Sequence, residues 1–150
     1  CNTVTLSNCN TVTLSNRKSV KLKKMAIVKD YEELDVYVLA FELQQEIYEL
    51  SKNFPNEERY SLTDQIRRCS RSIGANIAEA WAKRRYKAHF ISKLTDADGE
   101  QLETRHWLKT ALKCGYIAME EYQKLVSKCH EIGQKLGRMM IDADKWCARF

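Results

Sequence analysis

The chain has 150 residues, a formal charge of +5, one proline and five glycines. That length suits a single domain with a real core, and the scarcity of turn-forming residues excludes a fold of many short strands in favour of a few long helices. No run of about 18 apolar residues is present, which excludes a membrane-spanning helix.

Residues 1–24 carry Arg17, Lys18, Lys21, Lys23 and Lys24 and no acid, so the whole charge excess sits there; residues 25–150 hold 20 basic and 20 acidic side chains. The octapeptide CNTVTLSN occurs twice, as residues 1–8 and 9–16. We read residues 1–24 as a repeated, basic leader, non-native or disordered and outside the fold. Its functional alternative is a basic arm that grips a phosphate backbone. Met25 opens the expected domain, 25–150. No apolar signal segment with a small-residue cleavage site is visible, so the expected location is cytoplasmic. The six cysteines fit that expectation as free thiols, because no CxxC pair occurs among Cys1, Cys9, Cys69, Cys114, Cys129 and Cys147.

The first helix is predicted from Tyr31 to Phe54, stopping at Pro55. Asp30, Glu32, Glu33 and Asp35 crowd its first turns, where the helix dipole favours negative charge. Val36, Leu39, Leu43, Ile47, Leu50 and Phe54 form one stripe at spacings of three or four. A second apolar set, Leu34, Tyr37, Val38, Phe41 and Tyr48, faces elsewhere. Two apolar faces imply two surfaces to cover, the core and a subunit interface.

The second helix is predicted over 61–85, with Ser61 as N-cap and Asp64 three residues on, a capping box with Asp in place of Glu. Leu62, Ile66, Cys69, Ile73, Ile77 and Ala80 make an unbroken core stripe. Gly74 in mid-helix costs about 1 kcal/mol relative to Ala. The third helix is predicted over Ala88–Lys113, with Gly115 just past its end. Its apolar positions are Phe90, Ile91, Leu94, Ala97, Leu102, Leu108, Ala111 and Leu112. A fourth runs from Met119 through Tyr122, Leu125, Val126, Cys129, Ile132, Leu136, Met139, Met140 and Ala143. Short connections make neighbours antiparallel, so the expected fold is an all-α, antiparallel up-down-up-down four-helix bundle.

Within the neutral body the charge is sorted. Residues 30–60 hold nine acids against Lys52 and Arg59, whereas residues 61–89 hold seven bases against Asp64 and Glu79. Arg67, Arg68 and Arg71, followed by Lys83, Arg84, Arg85 and Lys87, are therefore the candidate chemistry. One reading is a charged face paired with the acidic first helix, within the chain or across an interface. The other is a phosphate-binding surface, because guanidinium groups bind phosphate bidentately. Lys83, Arg84, Arg85 and Lys87, with Arg68 and Arg71, are the nucleic-acid candidates, and Trp81 and Tyr86 flank the terminal group as stacking candidates. Asn76 falls beside the core stripe and is read as a polar lock reaching Glu79, Glu103 or a backbone carbonyl. A ligand-binding amide is the sharper alternative.

No catalytic residues, cofactor or metal site are expected. His89, His106 and His130 have no partner at ligand spacing. Ser70 and Ser72 lack a nucleophile turn, and no phosphate-cradling glycine loop exists.

The run Q-I-R-R-x-x-x-S-I-x-x-N-I-A-E-x-W, from Gln65 to Trp81, carries a family likeness over about residues 30–145. Phe54, Pro55 and Glu58 match a Phe-Pro-x-x-Glu turn, and Ala97, Gly99 and Glu103 match a later A-x-G-S-x-x-E segment. The chain resembles the bacterial four-helix-bundle proteins encoded in intervening sequences of 23S rRNA genes, related to the accessory variability determinant of diversity-generating retroelements. Gly74 stands where that family commonly has proline, Ala80 where it has glycine and Glu100 where it has serine. The resemblance implies a ring-like homo-oligomer, with the pentamer the best-known arrangement. In the retroelement relatives it also implies partners, nucleic acid (RNA or DNA) and a reverse transcriptase. It implies no enzymatic activity. The function expected from the sequence is a non-enzymatic oligomeric module that binds nucleic acid or a nucleic-acid-processing partner. The alternative is a structural or protein-interaction bundle whose basic helix makes subunit contacts.

Overall fold

The computed structural model describes residues 27–148, so the repeated leader expected at 1–24 lies outside the described residues. Five α-helices follow in order: α1 Asp35–Ser51, α2 Leu62–Lys83, α3 Lys87–Lys113, α4 Met119–Ile141 and the short α5 Ala143–Cys147. The four long helices form a four-helix bundle with sequential neighbours antiparallel. Matching heights show the direction of each pair. Tyr37 of α1 lies against Gly74 of α2, whereas Ser51, further along α1, meets Arg67, earlier on α2. On the next seam Thr104 meets Cys69 and Lys93 meets Asn76. Beyond it Gln101 approaches Gly133 and Thr95 approaches Met140.

The α2 stripe Leu62, Ile66, Cys69, Ile73, Ile77 and Ala80 is buried throughout, each large apolar side chain stabilising the fold by about 1.5–3 kcal/mol. The helix runs through Gly74 unbroken. The α3 stripe differs from its expected membership. Its inward positions are Phe90, Leu94, Ala97, Gln101, Thr104, Leu108 and Ala111, while Leu102 is 50% exposed. Stepping on from Ala97 by four and three reaches 101 and 104, so phase carries two polar side chains inward and leaves a leucine outside. Thr104 satisfies its hydroxyl by donating to the Glu100 carbonyl at 2.8 Å. Gln101 donates its amide to Asp98 at 3.1 Å. Burial pushes the thiols of Cys69 and Cys129 up to about 11 and about 12, so both remain protonated core groups. Cys69, Cys114, Cys129 and Cys147 are all free.

The helix ends correct several expected boundaries. The first helix does not begin at Tyr31. Asp30 caps a 3-10 turn over Tyr31–Glu33, and Leu34, with φ −74° and ψ 124°, interrupts the backbone before α1. Its other end is Ser51, and Phe54 is buried in the loop beyond. Ser61 sits at the start of α2 but makes no capping bond through its side chain. Its hydroxyl donates instead to Glu58, and that carboxylate accepts the Leu62 N–H at 3.2 Å, so Glu58 from the preceding turn does the capping. Glu58 also accepts the Tyr116 hydroxyl at 3.0 Å, which ties the α1–α2 and α3–α4 connections together. At the end of α3, Gly115 adopts φ +76°. That conformation lets the Tyr116 N–H return to the Ala111 carbonyl at 2.9 Å and the Gly115 N–H to Leu112 at 3.0 Å. Helix four does not reach Ala143 unbroken, because the backbone turns at Asp142 and α5 folds separately.

Candidate nucleic-acid interface

Three residues separate α2 from α3, and this tight turn gathers Lys83, Arg84, Arg85 and Lys87 at one end of the bundle. Lys83 and Arg85 are exposed, while Arg84 is half-buried. The Arg84 guanidinium lies 3.8 Å from the centre of the Trp81 ring and donates to the Trp81 carbonyl at 2.6 Å. Lys87 pairs with Asp144 of α5 at 2.7 Å. Trp81 is itself half-buried and meets Trp146 edge-on at 6.3 Å, so it is a packing residue. Tyr86 is 62% exposed and stands beside the exposed His89, their rings 5.7 Å apart. The turn thus presents dense positive charge with one open aromatic face.

Arg68 and Arg71 lie elsewhere. Arg71 precedes Lys83 by twelve residues, or roughly 18 Å of helix. Arg68 is exposed and 3.8 Å from Asp64 on its own helix. Arg71 reaches across to α1 and lies 5.6 Å from the centre of the Tyr48 ring. Arg67 is half-buried, donates to the Ser51 hydroxyl at 2.7 Å and lies 5.0 Å from that same ring. Two acids of α1, Glu42 and Glu46, are engaged on the opposite side. Lys128 of α4 bridges Glu42 at 3.0 Å and Glu46 at 2.5 Å, and Lys124 reaches Glu46 at 2.7 Å. Within the chain, therefore, the partner of the acidic first helix is α4 rather than α2. Burial alone would raise the Glu46 pKa, but hydrogen bonds from Lys124 and Lys128 hold it below the usual carboxylate range.

Asn76 and Glu79 come together, and Glu103 does not join them. Lys93 of α3 donates to Asn76 at 3.4 Å, pairs with Glu79 at 2.8 Å and lies 3.4 Å from Asp96. The Lys93–Glu79 hydrogen bond raises the lysine's pKa and lowers the glutamate's. Glu103 is exposed and instead accepts the Trp107 indole N–H at 3.1 Å. The sequence pattern does not single out Lys93, and it marks Tyr48 only as a member of the second apolar set, not as a platform for arginines. Both owe their roles to which residue stands opposite on the neighbouring helix, and periodicity alone carries no such signal.

Two clefts of about 580 and 590 Å³ open on the α1–α4 side, and neither is lined by His, Cys, Ser or Thr. Among the described residues no group of three His, Cys, Asp or Glu side chains is placed to hold a metal ion. No helix of the described residues is long and apolar enough to cross a membrane.

The family described as 23S rRNA-intervening sequence protein matches residues 32–138. A crystal structure from Bacteroides thetaiotaomicron, of a protein of unknown function from the S23 ribosomal protein family, is 34% identical to this chain, with a TM-score of 0.64. The match covers 71% of this chain and 95% of that one. Comparison with curated proteins gives no match. The match over most of the four-helix body, together with the shared bundle, places this chain in the 23S rRNA-intervening sequence protein family.

Proposed function

We propose that this protein is a non-enzymatic, oligomeric helical module that contacts nucleic acid through the α2–α3 turn. The observation that carries the reading is the convergence of Lys83, Arg84, Arg85 and Lys87 around the exposed Tyr86 at one bundle end. Ammonium and guanidinium groups neutralise phosphates with release of counterions, and an open ring stacks on any base. Such a site grips backbone and unpaired bases without reading sequence. Oligomerisation is supported by Val38 and Phe41, each 46% exposed on α1 beside Tyr37. The ring of five and a reverse-transcriptase-like partner are what the family likeness adds to this reading. The alternative, a purely structural bundle whose basic helix serves subunit contacts, is favoured for one part of the molecule. Arg67 and Arg71 lie on Tyr48, well away from the basic end.

The test is salt-dependent binding of structured RNA and duplex DNA by the full chain. It is repeated with Lys83→Gln, Arg85→Gln and Lys87→Gln combined, which spares the Arg84–Trp81 contact. With Lys87 already held by Asp144, loss of about two phosphate contacts lowers affinity about a hundredfold at about 50 mM salt and flattens the log–log salt slope by about 1.8. Absence of binding by the wild type at that salt would end the nucleic-acid reading.

A further inference from the structure

Two surfaces of the bundle carry charge that their own side chains leave unbalanced. The first spans α1 and α2. Tyr48 is surrounded by cations, with Lys52 at 4.6 Å, Arg67 at 5.0 Å and Arg71 at 5.6 Å from the ring centre. Lys52 is matched by Glu49 at 2.7 Å. Among the described residues, neither Arg67 nor Arg71 has a carboxylate within ion-pair distance. Along the same side of α1, Phe41 stacks on Tyr37 with ring centres 6.3 Å apart. Phe41 and Val38 remain nearly half exposed, and Ala75 of α2 is exposed. A phosphodiester strand fits this surface poorly. Three cations already lie within 5.6 Å of the Tyr48 ring centre and compete with a base for it, and phosphates gain nothing by covering Phe41 and Val38.

The second surface lies on α3. Asp96, Glu100 and Glu103 recur at spacings of four and three, so they form one ridge. Lys93 lies beside Asp96, which puts that ridge on the α2 side of the helix. Glu100 is half-buried, and its carboxyl is held above the usual range by burial and then by Glu103 and Asp96, which the nearby Arg68 does not offset. Trp107 extends the ridge by one turn, half-buried and bonded to Glu103.

We propose that the surface formed by Phe41, Arg67 and Arg71 of one copy docks on the ridge formed by Glu100, Glu103 and Trp107 of a second copy. The inference rests on the oligomeric reading above and names its joint. The two surfaces are opposite in charge, and each sets an aromatic group beside its charges. Guanidinium–carboxylate pairs formed there are charge-assisted and directional. Pairing like with like would face arginines against arginines, so the joint is heterologous, each copy offering one surface of each kind. The surfaces occupy neighbouring sides of the bundle, α1–α2 and α2–α3. Successive copies therefore turn relative to one another, and such a joint builds a ring where the rotation closes.

Light scattering and sedimentation of the full chain test this with Arg71→Glu and Glu103→Lys, both at exposed positions, alone and combined, with circular dichroism confirming the helical fold. Each single variant should dissociate at concentrations at least tenfold higher than the wild type requires, and the combination should regain assembly by swapping the pair. Single variants that keep the wild-type size, or a combination no better than either, would overturn the joint while leaving oligomerisation standing. A monomeric wild type would remove the oligomeric reading and the joint with it.

Discussion

The α1–α4 side and the α2–α3 turn are both rich in charge, and they use it in opposite ways. On the first, Lys124 and Lys128 are set between Glu42 and Glu46, so that charges of opposite sign end within 3.0 Å of one another. On the second, four bases crowd into five residues, and Lys87 is met by the exposed Asp144. Counting charge by segment finds both regions but cannot tell them apart. What separates them is the register between helices that are distant in sequence, which decides whether a lysine meets a glutamate or faces solvent.

The largest effect on stability is expected where charges are matched and partly desolvated. Lys128 is 20% exposed and Glu46 29% exposed. Lys128→Met leaves Glu42 without this partner and Glu46 with Lys124 alone. The expected cost is about 1–2 kcal/mol in urea unfolding, less than for a fully buried charged hydrogen bond because Glu42 stays wet. Nucleic-acid affinity should not move. A variant as stable as the wild type would show that the α1–α4 pairs are surface ornament and erase the contrast with the turn.

The bundle was legible in the sequence where periodicity and hydrophobicity agreed. The α2 stripe Leu62, Ile66, Cys69, Ile73, Ile77 and Ala80 could be read whole, although Thr63 and Ser70 are buried beside it. On α3 the two signals part at Gln101, Thr104 and Leu102. Following hydrophobicity there leads to an exposed leucine and misses two buried polar groups. Capping shows a similar limit. Ser61 looks like a sufficient cap, but the Glu58 carboxylate from the turn before takes the Leu62 N–H. The basic turn was visible because its residues are contiguous. Lys93 as the centre of the Asn76–Glu79 cluster, and Tyr48 as the platform for Arg67 and Arg71, depend on cross-helix register that a single sequence does not display.

Acid and alkali sharpen the same comparison with a smaller effect. Glu46 is held low by Lys124 and Lys128. At the bundle end away from the basic turn, Glu58 is held low by hydrogen bonds from Ser61, Tyr116 and Leu62. A carboxyl whose pKa falls on folding adds stability above its unfolded value, and that stability is lost as pH drops through the folded value. Unfolding by urea should therefore become easier below about pH 4.5, and Glu46→Gln should blunt the acid limb. The Tyr116 hydroxyl is pushed up to about 12 by its hydrogen bond to Glu58, from an ordinary 10.0. Its contribution is intact below the unfolded value and is lost as pH rises through the folded one. Tyr116→Phe should accordingly flatten the decline of stability between about pH 10 and 12. An alkaline limb identical in wild type and variant would place that loss elsewhere.

The smallest change reaches the turn itself. Lys87 and Asp144 are 50% and 81% exposed, so their contact belongs to the class of surface pairs worth about 0–1 kcal/mol. Asp144→Asn should leave stability within about 0.5 kcal/mol of the wild type. If Lys87 then takes up a phosphate in place of the carboxylate, affinity for duplex DNA rises a few-fold and the log–log salt slope steepens by about 0.9. This is the reverse of Lys128→Met on both readouts, since one variant weakens the fold and spares binding while the other spares the fold and strengthens binding. The opposition is what makes the pair of variants informative. Should Asp144→Asn cost more than about 1 kcal/mol and leave affinity unchanged, Lys87 would join Lys124 and Lys128 as a fastening between helices. The nucleic-acid surface would then contract to Lys83, Arg84, Arg85 and Tyr86.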